Sequence, residues 1–304
     1  METNKPFISI VLPVYNGEKT IRATLQSLLS QSYTNFEILI GIDGTFDNSK
    51  AIAESFEDER MRIYENESNL GLGANLNKLF SLVSEKSEFI AMAEQDDLYE
   101  QRRLEWQIDE FHNHAEVGLV SGIVEFKNGD NTVLFPGILI NGEQFPQGEE
   151  LFEYLYVNQL KVVNTCMMIR KKIHKYHNLR FTEKYPNMNI DWDYVLRFAL
   201  VSNVHGLPKK LAVMNRGLHD DSVTRNKKLQ HQTSRQFLKD IKDEFPDLVN
   251  NKLYSKALKM HRKIELGHHS KLGIIFYSKL YFIRYLDPYF LNYMFKRIGK
   301  YFRK

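Results

Sequence analysis

The sequence predicts an α/β protein in which a mostly parallel, twisted sheet is flanked by helices and followed by a helical C-terminal extension. Within about the first 95 residues, strand-length apolar runs alternate with segments of helical character in the order β-α-β-α-β-α-β. Alternation at that spacing builds a parallel, helix-covered sheet. The runs are also nearly continuous in apolar residues, as strands buried on both faces read. Beyond about residue 230 the pattern turns helical and basic to the end.

The first run is Phe7-Ile-Ser-Ile-Val-Leu-Pro-Val14, and Tyr15-Asn-Gly17 turns the chain. Ile21, Leu25, Leu28 and Leu29 then recur at helical spacing, so this segment packs an apolar face back on the sheet. Phe36-Glu-Ile-Leu-Ile-Gly-Ile42 is the second strand and ends in Asp43-Gly44. A polar, helix-compatible segment over 47–59 leads to a third strand at Met61-Arg-Ile-Tyr64, and Asn69-Leu-Gly-Leu-Gly73 opens a helix to about Ser84. The fourth strand starts at Phe89 and stops at two adjacent carboxylates, Asp96 and Asp97. A helix over 99–113 is expected next, with Leu104, Ile108 and Phe111 on one face. Val117 to Phe126 reads as a strand, Asn128-Gly-Asp130 as a turn into Val133-Leu-Phe135, and 148–157 as a helix. Cys166-Met-Met-Ile169 is apolar, 181–190 is a loop rich in Tyr, Pro and Asn, and Trp192, Val195, Leu196 and Ala199 mark a helical face.

Composition narrows the class. With 304 residues, 43% apolar and 26% charged, the chain can bury a sizeable core. The single cysteine, Cys166, excludes an internal disulfide and a Cys-rich zinc site. The opening Met1-Glu-Thr-Asn-Lys-Pro-Phe7 lacks a signal-peptide layout, and no apolar run reaches the roughly 18 residues of a membrane span. The expected location is the cytoplasm. The net charge of +3 hides an asymmetry: residues 251–304 hold 13 Lys or Arg against two acids, while the first 250 hold 28 basic against 36 acidic residues. An acidic body with a basic tail points to an anionic surface for the tail and not to nucleic acid.

Candidate chemistry lies at the strand ends. Tyr15 and Asn16 follow the first strand, Asp43 the second, Asn69 the third, and Asp96 and Asp97 the fourth. In open α/β sheets ligands bind outside the carboxyl ends of strands. Carboxylates placed there suit Mg²⁺ or Mn²⁺, with substrate phosphates completing the shell. A pyrimidine stacked on Tyr15 would offer its ring imide N–H to a carboxylate such as Asp43. Taken singly, Asp43-Gly44 reads as a turn, Tyr15 as a strand-end aromatic, Asn69 as a helix cap and an Asp before a helix as an N-cap. Neither a Gly-x-Gly-x-x-Gly turn after the first strand nor a phosphate-loop motif is present.

In order and spacing, Pro13-Val-Tyr-Asn16, the run Phe36 to Ser49, Asn69-Leu-Gly-Leu-Gly-Ala-Asn-Leu-Asn77 and Gln95-Asp-Asp-Leu98 resemble the family-2 nucleotide-sugar glycosyltransferases of the GT-A fold. Asp191-Trp-Asp-Tyr-Val-Leu-Arg197 resembles that family's acidic motif, and His219 with Ser222 its late His-x-x-Ser segment. The likeness covers about residues 7–225, and the Gln-Asp-Asp variant resembles that of members that build bacterial cell-surface polysaccharides, including rhamnosyltransferases. It implies an inverting, metal-dependent transfer from a UDP- or dTDP-sugar to a hydroxyl of a glycan or lipid-linked acceptor. Val14, Tyr15, Asn16, Asp43, Asn69, Asn77 and Asp96 would hold the nucleotide, Asp43 reading the pyrimidine. Asp96, Asp97 and His219 would hold Mn²⁺ or Mg²⁺, and Asp191 would be the catalytic base. Residues 1–110 would form the nucleotide-sugar half, 111–230 the acceptor-binding and catalytic half, and 231–304 a basic helical extension.

The chain departs from the family pattern at Ile42 and Ile190, where acids are frequent, and at Glu94, where Asp is frequent, and it lacks a basic residue near Leu76. Asp191 also reads as the N-cap of its helix, and Asp193 competes for the role of base. A catalytically silent sugar-nucleotide-binding or scaffolding protein is the alternative reading. In the tail, Phe290, Met294, Ile298 and Tyr301 form one helical stripe, and Asn292, Lys296, Lys300 and Arg303 another. Such a helix either lies on an anionic membrane, placing the protein peripherally on the inner face, or packs on the body, or pairs two subunits as a homodimer.

Overall fold

The computed structural model describes residues 5–129, 131–135, 143–159, 162–185, 187–215 and 226–301. The chain divides into two compact units, one of Met1–Phe152 and Leu160–Ser222, the other of Glu153–Gln159 and Val223–Lys304.

In the first unit the apolar runs become strands as expected: β1 (Phe7–Val14), α1 (Ile21–Leu29), β2 (Phe36–Asp43), α2 (Ser49–Glu54), β3 (Met61–Asn66), α3 (Leu72–Ser81) and β4 (Ser87–Met92). β1 pairs in parallel with both β2 and β4, and β2 with β3. Every residue of β2 is buried, which is why its apolar run is unbroken apart from Glu37 and Gly41. Glu37 is satisfied there by Ser9 Oγ at 2.6 Å and Arg62 Nη1 at 2.8 Å.

The chain continues through β5 (Asp97–Tyr99), α4 (Arg103–Asn113), β6 (Val117–Asn128), β7 (Asn131–Phe135), α5 (Gly148–Asn158), β8 (Met168–Arg170), α6 (Lys171–Tyr176), α7 (Ile190–Ala199) and β9 (Asn203–Asn215). The described sheet has the order β3-β2-β1-β4-β8-β6-β9-β5, with β7 on β6. β6 and β9 run parallel, whereas β8 lies antiparallel to both β4 and β6. The expected helix over 99–113 starts only at Arg103, because Asp97 and Tyr99 pair with Met214 and Ala212 of β9. Likewise the helical segment over 47–59 is confined to α2.

The second unit is helical, with α8 (Lys227–Glu244), α9 (Asn251–Leu266), α10 (Lys271–Tyr285) and α11 (Tyr289–Tyr301). Side chains of Asn226, Asn250 and Ser270 accept backbone N–H groups at the starts of α8, α9 and α10. The stripe of Phe290 and Met294 faces inward, Phe290 packing in a cluster with Leu266 and Tyr281. Of the readings left open for this stripe, packing holds for Phe290 and Met294, within their own unit. Burial of those side chains within the unit outweighs exposing them. Outward apolar side chains lie on α10, with Leu272 80% and Ile283 72% exposed, and at Phe295 of α11. No helix among the described residues is long and apolar enough to cross a membrane.

Candidate active site at the carboxyl ends of the strands

Two loops form one edge of the site. After β1 the chain turns through Asn16 with φ 51, a left-handed conformation that Asn tolerates. The Gln95 side chain grips Tyr15 on both sides: its Oε1 accepts the Tyr15 N–H and its Nε2 donates to the Tyr15 carbonyl, each at 2.8 Å. The loop after β2 is stitched to this turn. Asn16 N–H donates to Thr45 Oγ1 at 3.0 Å, Gly17 N–H to Ser49 Oγ at 2.8 Å and Glu18 N–H to Asp47 Oδ2 at 2.9 Å. Gly44 takes φ 60 with the Asn69 backbone where a Cβ would sit, so only glycine fits. Val14 is buried below this edge, and the Tyr15 ring is 42% exposed above it.

Asp43 and the two asparagines have well-defined partners. The buried Asp43 carboxylate accepts Asn66 Nδ2 at 2.8 Å, Leu70 N–H at 2.9 Å and Gly71 N–H at 3.0 Å. It thereby shapes the turn that leads into α3. Asn69 Oδ1 accepts the Gly71 N–H at 2.8 Å inside the same turn. Asn77 bonds both backbone groups of Phe181 at 2.9 Å and Glu183 at 2.9 Å. The amide expected on the nucleotide is thus a clamp on the 181–183 segment.

At the end of β4 the carboxylates of Glu94, Asp96 and Asp97 bring ligand oxygens within 4.8 Å of one another. Burial, then the charge on Asp96, pushes Glu94 from 4.5 up to about 7, although Asn164 Nδ2 donates to it at 2.7 Å. Asp97 is raised well above the usual carboxylate range by burial and then by Glu94 and Asp96, against a Thr165 hydrogen bond and the charge of Arg103. Asp97 Oδ2 is buried with no hydrogen-bond partner among the described residues. Arg103 is fully buried behind the cluster, donating to the Met92 carbonyl at 2.7 Å and lying 4.6 Å over the Tyr99 ring. Tyr99 Oη in turn accepts the Glu94 N–H at 2.7 Å and meets Thr165 Oγ1 at 2.5 Å. Three crowded carboxylates and an orphaned oxygen fit a hard divalent cation, whose charge would relieve the repulsion.

Asp191 opens α7 after Asn189, which has φ 56, and its Oδ1 accepts the Trp192 N–H at 2.9 Å. Burial raises its pKa, and its charge contributes to the rise at Glu94, so the two carboxylates share one electrostatic environment. Asp193 is different. It is buried in a two-pronged ion pair with Arg197, at 3.0 and 3.1 Å. The loop before α7 is pinned to α3, where Leu72 N–H donates to Asn187 Oδ1 at 2.8 Å. His219 and Ser222 lie outside the described residues.

Gln95, Arg103, Asn164 and Thr165 also shape the site and escaped the sequence reading. Gln95 carried a signal, since it sits inside the Gln-Asp-Asp run. Arg103 carried none, because an arginine near the start of an amphipathic helix reads as solvated.

A profile of Glycosyl transferase family 2 matches residues 9–177. The chain is similar to an uncharacterised glycosyltransferase of Rickettsia typhi, 26% identical over 87% of this chain and 88% of the relative. It is similar to the UDP-Glc:alpha-D-GlcNAc-diphosphoundecaprenol beta-1,3-glucosyltransferase of Escherichia coli, 26% identical over 61% of this chain and 84% of that one. Among solved structures it resembles residues 1–349 of S. aureus TarS in complex with UDP-GlcNAc, with a TM-score of 0.57 and 15% identity over 90% of this chain and 85% of the other.

Proposed function

As the chain belongs to glycosyl transferase family 2 and is a glycosyltransferase, we propose a finer reading: an inverting, metal-dependent transfer from a UDP- or dTDP-sugar to a hydroxyl of a glycan or lipid-linked acceptor in surface polysaccharide synthesis. The observation that carries it is the cluster of Glu94, Asp96 and Asp97 at the end of β4, with ligand oxygens within 4.8 Å of one another. A UDP-sugar bound to TarS and the diphosphoundecaprenol acceptor of the E. coli relative support the two substrate classes.

Asp96 and Asp97, with Glu94 beside them, would hold Mn²⁺ or Mg²⁺, which when bound neutralises charge on the departing diphosphate. Asp191 takes the proton of the acceptor hydroxyl as its oxygen attacks the anomeric carbon from the face opposite the nucleotide. The carbon–oxygen bond to the diphosphate then breaks and configuration inverts. The raised pKa of Asp191 moves its basicity toward working pH. Tyr15 stacks the pyrimidine, with Val14 and Asn16 shaping the edge beneath it and Asn69 the neighbouring turn. Asp43 has three N–H partners, and a carboxylate offers about four lone-pair sites, so one remains for the imide N–H. His219 keeps the assignment of a metal or pyrophosphate contact that the family resemblance implies.

A lipid-linked acceptor places the enzyme at the inner face of the membrane. The exposed apolar side chains of α10, Leu272, Phe276 and Ile283, form the surface that meets the bilayer, among the basic residues of the tail. Calorimetry with UDP and dTDP, with Mn²⁺ or with EDTA, tests the nucleotide reading. Binding should need the cation and disappear in Asp97→Asn; equal affinity in EDTA overturns the metal site. A panel of nucleotide sugars assayed for diphosphate release then names the donor.

A further inference from the structure

The helical unit holds a second cluster of ionisable groups, of opposite sign. A cavity of about 570 Å³ opens among α8, α9 and α10, a volume typical of small-ligand sites. Lys227, Lys228, Arg235, Arg262 and Arg284 line it, and Glu265 is the one acid among its lining residues. Glu265 is already engaged: Arg235 Nη1 donates to its Oε1 at 2.7 Å and Arg262 Nη1 to its Oε2 at 2.5 Å. One carboxylate therefore faces five cations, and it fixes two of the guanidiniums in place.

The wall also holds a buried histidine with an unmet ring nitrogen. His231 is only 6% exposed, its Nε2 lies 2.9 Å from His268 Nδ1, and its own Nδ1 has no hydrogen-bond partner among the described residues. When His268 donates to Nε2, His231 Nδ1 carries the remaining proton and presents an unmet N–H. Burial keeps that ring neutral near pH 7, with a pKa pushed down to about 4. A buried N–H without a partner is costly, and an acceptor oxygen would satisfy it. Guanidinium and ammonium groups around such a donor match a multiply charged oxyanion, for which Arg supplies two-pronged hydrogen bonds. Tyr277, Tyr281 and Leu280 on the same wall offer apolar surface to whatever the anion is attached to.

We propose that this cavity binds a phosphate-bearing group, held by Arg235, Arg262, Lys228 and Arg284, with His231 in its wall. A soluble phosphate ester and a lipid headgroup present the same chemistry. Leu280 connects the cavity to the exposed apolar side of α10, which favours the headgroup. No residue of the strand-end site takes part, so the inference does not depend on the transferase reading.

The test uses the full chain in EDTA, so that no cation at the carboxylates recruits phosphate. Inorganic pyrophosphate is titrated calorimetrically, and flotation compares vesicles of phosphatidylcholine containing phosphatidic acid with vesicles containing phosphatidylglycerol. Pyrophosphate should bind the wild-type chain. The exposed-site double variant Lys228→Gln/Arg284→Gln should weaken it by roughly tenfold or more, since two charge-assisted contacts are lost. The charge-preserving Lys228→Arg/Arg284→Lys should retain it, and far-UV circular dichroism and the urea midpoint should be equal in all three, which reports an intact fold. If flotation also favours phosphatidic acid and the glutamine variant loses that preference, the phosphate comes from lipid. Pyrophosphate binding without that preference assigns a soluble ester. Absence of pyrophosphate binding by the wild-type chain, or equal binding by the glutamine variant, overturns the proposal.

Discussion

The strand-end carboxylates and the cavity of the helical unit are opposite solutions to burying charge. In the first, Glu94, Asp96 and Asp97 crowd together with Arg103 behind them. In the second, five cations surround Glu265, and the nearby imidazoles of His231 and His261 are buried as neutral rings. Each cluster is left with orphaned atoms, Asp97 Oδ2 and Arg103 Nη1 among those of one, His231 Nδ1 and His269 Nε2 among those of the other. The first arrangement calls for a cation and the second for an anion. Net charge over a segment foreshadows the sign of a site, but the orphaned atom shows what the site lacks.

The largest effect expected from this contrast separates chemistry from binding. Asp191→Asn should keep metal-dependent UDP affinity and lower the transfer rate by about 10² to 10⁴, the usual contribution of a positioned base. Asp193→Asn breaks the Arg197 pair and should lower stability more than rate; single-turnover kinetics beside urea unfolding reads both. A dead Asp193→Asn with a wild-type Asp191→Asn would reverse the assignment.

Next comes Arg103→Met, which removes the buried positive charge behind Asp97. The Arg103 hydrogen bonds to the Met92 carbonyl and Gln107 are lost as well; bonds to a charged group contribute about 1.5–3 kcal/mol each, so stability should fall in denaturant unfolding. Saturating Mn²⁺ should recover part of that loss, because it answers the same carboxylates. A variant as stable as wild type with no added metal would show that Arg103 does not neutralise the cluster.

The two clusters should also respond to pH with opposite sign. Glu94 has a folded pKa of about 7, above its ordinary 4.5, so it binds more protons folded than unfolded between those values. The sheet region near it should lose stability as pH rises through that window. His231 and His261 have folded pKa values of about 4, below the ordinary 6.5. Their contribution is present above pH 6.5 and fades as pH falls toward 4, by up to about 1.4 kcal/mol per unit for each ring. Hydrogen exchange, corrected for intrinsic rates, should show β4 loosening toward neutral pH and α8 and α9 loosening toward acid. The same direction in both would remove the contrast. The smallest effect is that of Gln95→Ala, which frees the Tyr15 backbone. Two hydrogen bonds contribute about 0.5–1.5 kcal/mol each, so donor KM should rise several-fold with little change in kcat.

Legibility in the sequence followed the range of the interactions. β1, β2 and β4 announce themselves because burial on both faces leaves an apolar run that needs no partner to be recognised. Asp96 and Asp97 were visible as neighbours at the end of such a run. β5 was not: its three residues become a strand only through Ala212 to Met214, more than a hundred residues away. β9 itself is interrupted by Gly206, Pro208 and two lysines, and its register against β6 shifts. The α11 stripe was periodic, but period alone does not say whether a face meets its own unit or the outside. The His231 cluster is drawn from separate helices and leaves no local pattern at all.

Asp43 holds the N–H groups of Leu70 and Gly71, Leu72 N–H holds Asn187, and Asn77 holds Phe181. Asp191 is four residues beyond Asn187. Asp191, the proposed base, is therefore tied to the end of β2 by a short run of hydrogen bonds, while the covalent path from Asp97 winds through more than ninety residues. The position of Asp191 thus does not depend on the stretch between Asp97 and Asn187 alone.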